Sequence, residues 1–129
     1  MLVHYAAIIA ALIFFATNAR AQQHDHAQYH NVYQGWASKL TSYCCNNQDC
    51  GIVDDEAVED TPSGTLIYID GEWCPVKQEH RVIVGRSPDW THAHACIQPN
   101  LQNYSNMDGT VGPKPPCERL LCFMGKPGG

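Results

Sequence analysis

Cys44-Cys45-Asn46-Asn47-Gln48-Asp49-Cys50 sets three cysteines within seven residues, separated by small polar side chains. Four more cysteines follow singly at Cys74, Cys96, Cys117 and Cys122, each in a different later segment. The pattern predicts a knot at 44–50 to which the rest of the chain is tied. Asn46, Asn47 and Asp49 suit such a loop, because their side chains bond nearby backbone and tolerate unusual φ. All seven cysteines are disulfide candidates. Cys44 joined to Cys45 would close a strained ring, so the two are expected to turn apart and bridge to different segments. Seven is odd: three bridges leave one thiol, single or paired between chains as a covalent dimer. Spacing alone does not fix the pairing.

The start of the chain sets the compartment in which those thiols would be oxidised. Leu2 to Ala16 is apolar apart from His4, and Ala19-Arg20-Ala21 is a small-x-small cleavage signal. Together they read as a secretory signal peptide over 1–21, although the segment before the apolar run lacks Lys and Arg. The run is shorter than the roughly 20 residues that a spanning helix needs; an uncleaved anchor is the competing reading. Cleavage after Ala21 would leave a single domain over 22–129. With Arg20 removed, seven Lys and Arg face thirteen Asp and Glu, a formal charge of −6. Such an acidic domain is a poor binder of nucleic acid or anionic membrane, and no later stretch is apolar enough to span. The expected location is the periplasm or the outside of the cell, where dense cysteines form disulfides.

Outward from the knot, the elements are short. Tyr29, Val32, Tyr33, Trp36 and Leu40 follow a helical period, which predicts a helix within 24–40 that Gly35 weakens. Gly51-Ile52-Val53 reads as a strand. An acidic run, Asp54, Asp55, Glu56, Glu59 and Asp60, leads into the Thr61-Pro62-Ser63-Gly64 turn. Thr65 to Ile69 and Glu72 to Val76 flank Asp70-Gly71, a pair suited to a type I′ hairpin, with Pro75 placing the second strand at an edge. Arg81-Val82-Ile83-Val84 and Thr91 to Ile97 are further strand candidates. The segment from Gln98 to Pro116, with four prolines, reads as loop, and Cys117 to Phe123 as a strand or one helical turn. The predicted class is α+β: a small disulfide-rich single domain with an N-terminal helix, a short antiparallel meander and a frayed C-terminal tail.

The apolar leader, the C-C-N-x-x-D-C knot (Cys44, Cys45, Asn46, Asp49, Cys50) and the D-G-x-W-x-P-V hairpin (Asp70, Gly71, Trp73, Pro75, Val76) occur in that order. A later H-x-C (His94, Cys96) and a closing C-F (Cys122, Phe123) follow them. The set resembles a largely uncharacterised family of small exported bacterial proteins. The resemblance implies export and a shared disulfide-held fold, and it brings no activity with it. Cys74, between Trp73 and Pro75, is an addition to that pattern.

Candidate chemistry centres on histidine. On a strand, His92, His94 and Cys96 share one side, and two imidazoles with a thiolate suit Zn or Cu. A disulfide at Cys96 would remove the thiolate, leaving surface or hydrogen-bonded histidines as the simpler account. Cleavage after Ala21 would also expose Gln22-Gln23-His24, whose amine, amides and third-position imidazole fit the square-planar preference of Cu(II); His26 and His30 lie close by. The acidic run lacks the ordered spacing of a Ca²⁺ loop and reads as a solvated face. There is no C-x-x-C, G-x-S-x-G, H-E-x-x-H or phosphate loop in the sequence, so a thiol enzyme would rest on the odd cysteine beside His80 or His94. Trp36, Trp73, Trp90 and Tyr68 are core candidates before they are a recognition surface, with Trp73 expected to pack on Trp36. The sequence therefore leans towards a non-enzymatic exported domain that binds a protein or envelope partner. A Cu- or Zn-binding protein is the alternative, and a thiol enzyme a further one.

Overall fold

The computed structural model describes residues 26–45 and 50–128. The signal-peptide reading and His24 lie outside that range, as does the middle of the knot. The described elements are one α-helix, α1 (His26–Tyr33), and eight short strands: β1 (Cys50–Val53), β2 (Val58–Thr61), β3 (Gly64–Ile69), β4 (Glu72–Pro75), β5 (Ala93–Ile97), β6 (Tyr104–Ser105), β7 (Val111–Gly112) and β8 (Leu120–Met124). Three antiparallel sheets result, ordered β1-β5-β8, β2-β3-β4 and β6-β7. This is the α+β, disulfide-rich domain that the sequence predicts. Among the described residues no helix is long and apolar enough to cross a membrane.

The β1-β5-β8 sheet is the centre of the molecule because strand alternation gives it two apolar faces. Cys50 stands opposite Cys96, and Cys96 opposite Cys122, so three cysteines lie abreast across the three strands. They pack with Tyr33, Trp36 and Cys44 into one buried cluster. Val53, Ala93, Ala95, Ile97 and Phe123 instead join Ile67, Ile69, Cys74 and Val76 of the second sheet in the other cluster. The central sheet is thus filled between α1 with the chain after it and the β2-β3-β4 sheet.

Three disulfides tie these layers: Cys44–Cys122, Cys50–Cys96 and Cys74–Cys117. The first bolts the segment after α1 to β8, the second joins β1 to β5, and the third fastens β4 to the turn before β8. Buried Arg119 pairs with Asp70 and so pins the hairpin turn of the second sheet against that same corner. Cys45 is the cysteine outside the three bridges; the expectation that Cys44 and Cys45 both bridge holds for Cys44.

The Asp70-Gly71 hairpin forms as expected, with φ of 44° and 93° at the two turn residues, the left-handed backbone that a type I′ turn requires. β4 lies at a sheet edge, with Pro75 opposite Leu66 at its end. Other expectations are corrected. The helix stops at Tyr33, where Gly35 N–H and Trp36 N–H turn back to the carbonyls of Val32 and Tyr33 at 3.2 and 3.0 Å. Trp36 is therefore buried from the loop after the helix, and Leu40 is exposed. Arg81–Val84 is not a strand: it makes only the isolated bridges Arg81–Phe123 and Ala37–Val84, and Ile83 and Val84 are exposed. The acidic run contains β2, an edge strand whose Glu59 and Asp60 face solvent. The 98–116 loop carries the β6-β7 ribbon, and the last segment is a 3-10 turn followed by β8. Trp73 stacks on Tyr68 across the hairpin at 5.2 Å, on the outer face of its sheet and away from Trp36.

Candidate metal centre

Two histidine constellations involve α1. The first surrounds His94, which β5 buries completely on the Tyr33 and Trp36 side of the central sheet. Tyr33 Oη lies 2.7 Å from His94 Nδ1. On the other side of the ring, His94 Nε2 lies 3.3 Å from Asp89 Oδ2, within ion-pair reach but without hydrogen-bond alignment. A proton on Nε2 faces the carboxylate, so Tyr33 donates to Nδ1. The edges of Tyr29, Trp36 and Tyr33 close the remaining sides. Burial is the main cause that lowers the His94 pKa, against the pull of Asp89; the ring is a neutral pin between sheet and helix.

Asp89 organises the approach to β5. Its Oδ1 accepts the N–H groups of Thr91 and His92, each at 2.9 Å, and its Oδ2 faces His92 Nδ1 at 3.1 Å. Burial opposes its charge, yet these hydrogen bonds and the nearby histidines hold the carboxyl well below the ordinary range. The structure therefore brings His92 and His94 together on one carboxylate oxygen, while the sulfur of Cys96 is bonded to Cys50. With that sulfur in a disulfide, the His92, His94 and Cys96 trio has no thiolate to offer. The acidic run is solvent-facing, with Asp60 accepting from Thr65 and Asp55 near Lys126. Trp90 is exposed beside Asp89.

The second constellation is built on α1 itself. His26, His30 and Gln34 repeat every four residues, which stacks them along one helix face. Cys50 O accepts the Nδ1–H of His26 at 2.6 Å. His26 Nε2 then accepts from His30 Nδ1 at 2.9 Å, and His30 Nε2 accepts from the Gln34 amide at 2.8 Å. His26 is thus held between the Cys50 carbonyl on one side of its ring and His30 on the other.

The third member arrives through the chain reversal after the helix. Ser38 N–H bonds to Thr41 O, and Cys44 N–H bonds to Trp36 O at 3.1 Å, folding 37–45 back under α1. The Cys44–Cys122 bridge then fixes that return on β8. Cys45, the next residue, comes to His26 and His30 with one ligand atom from each of the three within 4.8 Å of the others. All three side chains are half-buried, and the ring of Tyr33 lies 5.8 Å from that of His26.

Two imidazole nitrogens and a sulfur at this spacing form a nitrogen and sulfur donor set for a borderline or soft metal ion. The His26 contact to a backbone carbonyl is the kind of support that orients a ligating imidazole and fixes its tautomer. The sequence placed His26 and His30 only beside an all-nitrogen site at Gln22-Gln23-His24, and grouped its one sulfur ligand, Cys96, with His92 and His94. The spacing of four between His26 and His30 on a predicted helix was the available signal, whereas Cys45 is identified only once the three bridges have used the other six cysteines. No family model, curated protein or solved structure matches this chain.

Proposed function

We propose that the protein is an exported, disulfide-stabilised, non-enzymatic binding domain whose ligand is a transition-metal ion held by His26, His30 and Cys45. The observation that carries this reading is the convergence of the three ligand atoms within 4.8 Å, with His26 anchored on the Cys50 carbonyl. Export is supported by the apolar leader with its Ala19-Arg20-Ala21 cleavage signal and by three disulfides, which persist in oxidising compartments. The acidic balance of the chain favours cation capture at long range. Metal buffering or delivery at the cell envelope fits a small domain with one half-buried site.

Native mass spectrometry of the exported protein, with and without added Zn(II) or Cu(I), tests the proposal. The expected result is a chain cleaved after its leader, carrying three disulfides and one bound ion. Uptake should be lost in the His26→Ala/His30→Ala variant and retained in His92→Ala. Failure to bind either ion, or loss of binding through His92→Ala alone, would overturn the assignment. A covalent dimer through Cys45 would overturn it as well, because the sulfur ligand would be consumed.

A further inference from the structure

We infer that the ion selected by this site is monovalent copper, bound in a three-coordinate arrangement by Nε2 of His26, Nδ1 of His30 and Sγ of Cys45; the inference rests on the metal-binding reading above. The coordination number and the charge of the cluster point the same way. First, among the described residues the cluster offers three ligand atoms and no carboxylate. Oxygen-seeking Mg²⁺, Ca²⁺ and Mn²⁺ find nothing suited to them there. Zn(II) is almost always four-coordinate and would need a fourth ligand beyond these three, whereas Cu(I), the softer and monovalent ion, favours the thiolate and needs no fourth donor.

Second, charge favours the monovalent ion. One thiolate and two neutral imidazoles around Cu(I) make a complex with no net charge, while the same ligands around Zn(II) leave one positive charge. The site is half-buried, with the ring of Tyr33 beside His26, and a poorly solvated net charge is costly. Cys45 lies outside the three bridges, and on binding it would release its thiol proton to solvent and ligate as the thiolate. A thiolate bound to Cu(I) is withheld from disulfide formation, because the attacking species in that exchange is the uncoordinated thiolate.

Entry of the ion needs a small rearrangement. The two ring nitrogens are 2.9 Å apart. With metal–nitrogen bonds of about 2.0 Å, a trigonal angle would set them at roughly 3.5 Å, so metal entry needs an opening of about 0.6 Å. Side-chain rotation on adjacent turns of α1 supplies this without moving the backbone. His30 passes its Nδ1 proton to Nε2, and Gln34 turns its amide so that Oε1 accepts the new N–H. His26 keeps its bond to Cys50 O throughout.

The test is anaerobic competition of the disulfide-intact protein against a colorimetric Cu(I) chelator, with a parallel Zn(II) titration against a zinc-selective indicator. The expected result is one Cu(I) per chain, held at least about a hundredfold tighter than Zn(II). X-ray absorption of the copper-loaded protein should show two nitrogen ligands and one sulfur. Cys45→Ser, checked by mass for its three disulfides, should weaken Cu(I) by on the order of a hundredfold. Equal or tighter Zn(II) binding that still depends on Cys45 would overturn the copper inference and leave the metal site standing. Binding of neither ion would remove both. Cu(I) binding undiminished by Cys45→Ser would refute the three-ligand assignment.

Discussion

Gly85 offers a sharp test of how the layer beneath α1 is packed. Its φ is +122°, and a Cβ built there would lie 2.4 Å from Trp36 Cδ1, 3.0 Å from Nε1 and 3.2 Å from Cγ. The indole cannot step aside easily. It is fully buried, its Nε1–H donates to Arg86 O at 3.0 Å, and the rings of Tyr33 and His94 meet it edge-on at 5.0 and 6.2 Å. Gly85→Ala therefore meets two costs. Left-handed strain contributes about 1–3 kcal/mol, and overpacking against a fixed ring about another 1–3 kcal/mol. Gly64 is the matched control, with φ +129° and nothing within 4 Å of the added atom, so Gly64→Ala carries the strain without the clash. Urea unfolding of both variants, disulfides intact, separates the two contributions. With a slope of about 1–3 kcal/mol per molar urea, Gly85→Ala should unfold on the order of 1 M earlier than Gly64→Ala. Equal midpoints for the two variants would show that Trp36 does not lie against Gly85, and would refute this account of the Tyr33–Trp36–His94 cluster.

Two further outcomes follow from the same cluster. Replacing Cys50 and Cys96 together by Ala opens a bridge between residues 46 apart in sequence, for which chain entropy implies a loss of about 4 kcal/mol; thermal unfolding reads it, and a loss below about 1 kcal/mol would contradict the structural role assigned to that bridge. Stability should also depend on pH through His94 and His80, both held below the ordinary histidine range mainly by burial. A group with a lowered folded pKa binds fewer protons in the native state. Its contribution is thus full above the unfolded value of about 6.5 and is lost as pH falls through the folded value, by up to roughly 1.4 kcal/mol per pH unit for each histidine. Urea midpoints should be flat between pH 8 and 7 and then fall towards pH 5; a rise on acidification would mean that His94 gains rather than loses from its contact with Asp89.

The sequence announced those parts of the fold that local chemistry dictates. Asp70-Gly71 could be read because only residues tolerant of positive φ close a two-residue hairpin, and both have it. Thr91 to Ile97 could be read because its alternation is real, with His94 and Cys96 facing one cluster and Ala93, Ala95 and Ile97 the other. β2 was hidden because an edge strand is protected from further pairing by charges, and Glu59 and Asp60 make it look like a solvated run. Val82-Ile83-Val84 failed in the opposite direction: it has strand composition but no partner strand, and Gly85 turns the chain away beneath Trp36. The helix was overestimated because Trp36 and Leu40 fit its period, while Gly35 ends it before they join. Pairing of the cysteines was beyond local reading altogether, since it depends on which strands lie side by side.

That dependence also explains why the candidate site was half visible. α1 has eight residues, fewer than an isolated helix needs to be stable in water. Its place is set by tertiary contacts: Tyr33 buried on His94, and the ring of His26 bonded to the first carbonyl of β1. The residue that anchors the helix is therefore also a member of the cluster with His30 and Cys45. The disulfides act on the same point from below. Cys50–Cys96 fixes the carbonyl that His26 grips, and Cys44–Cys122 fixes the backbone next to Cys45. Two of the three bridges thus hold the two halves of the His26, His30 and Cys45 cluster in register, which is the rigid support that a small domain needs if a weak helix is to present two metal ligands. Reduction of the bridges would release both halves together, so the proposed metal capture would depend on oxidative folding.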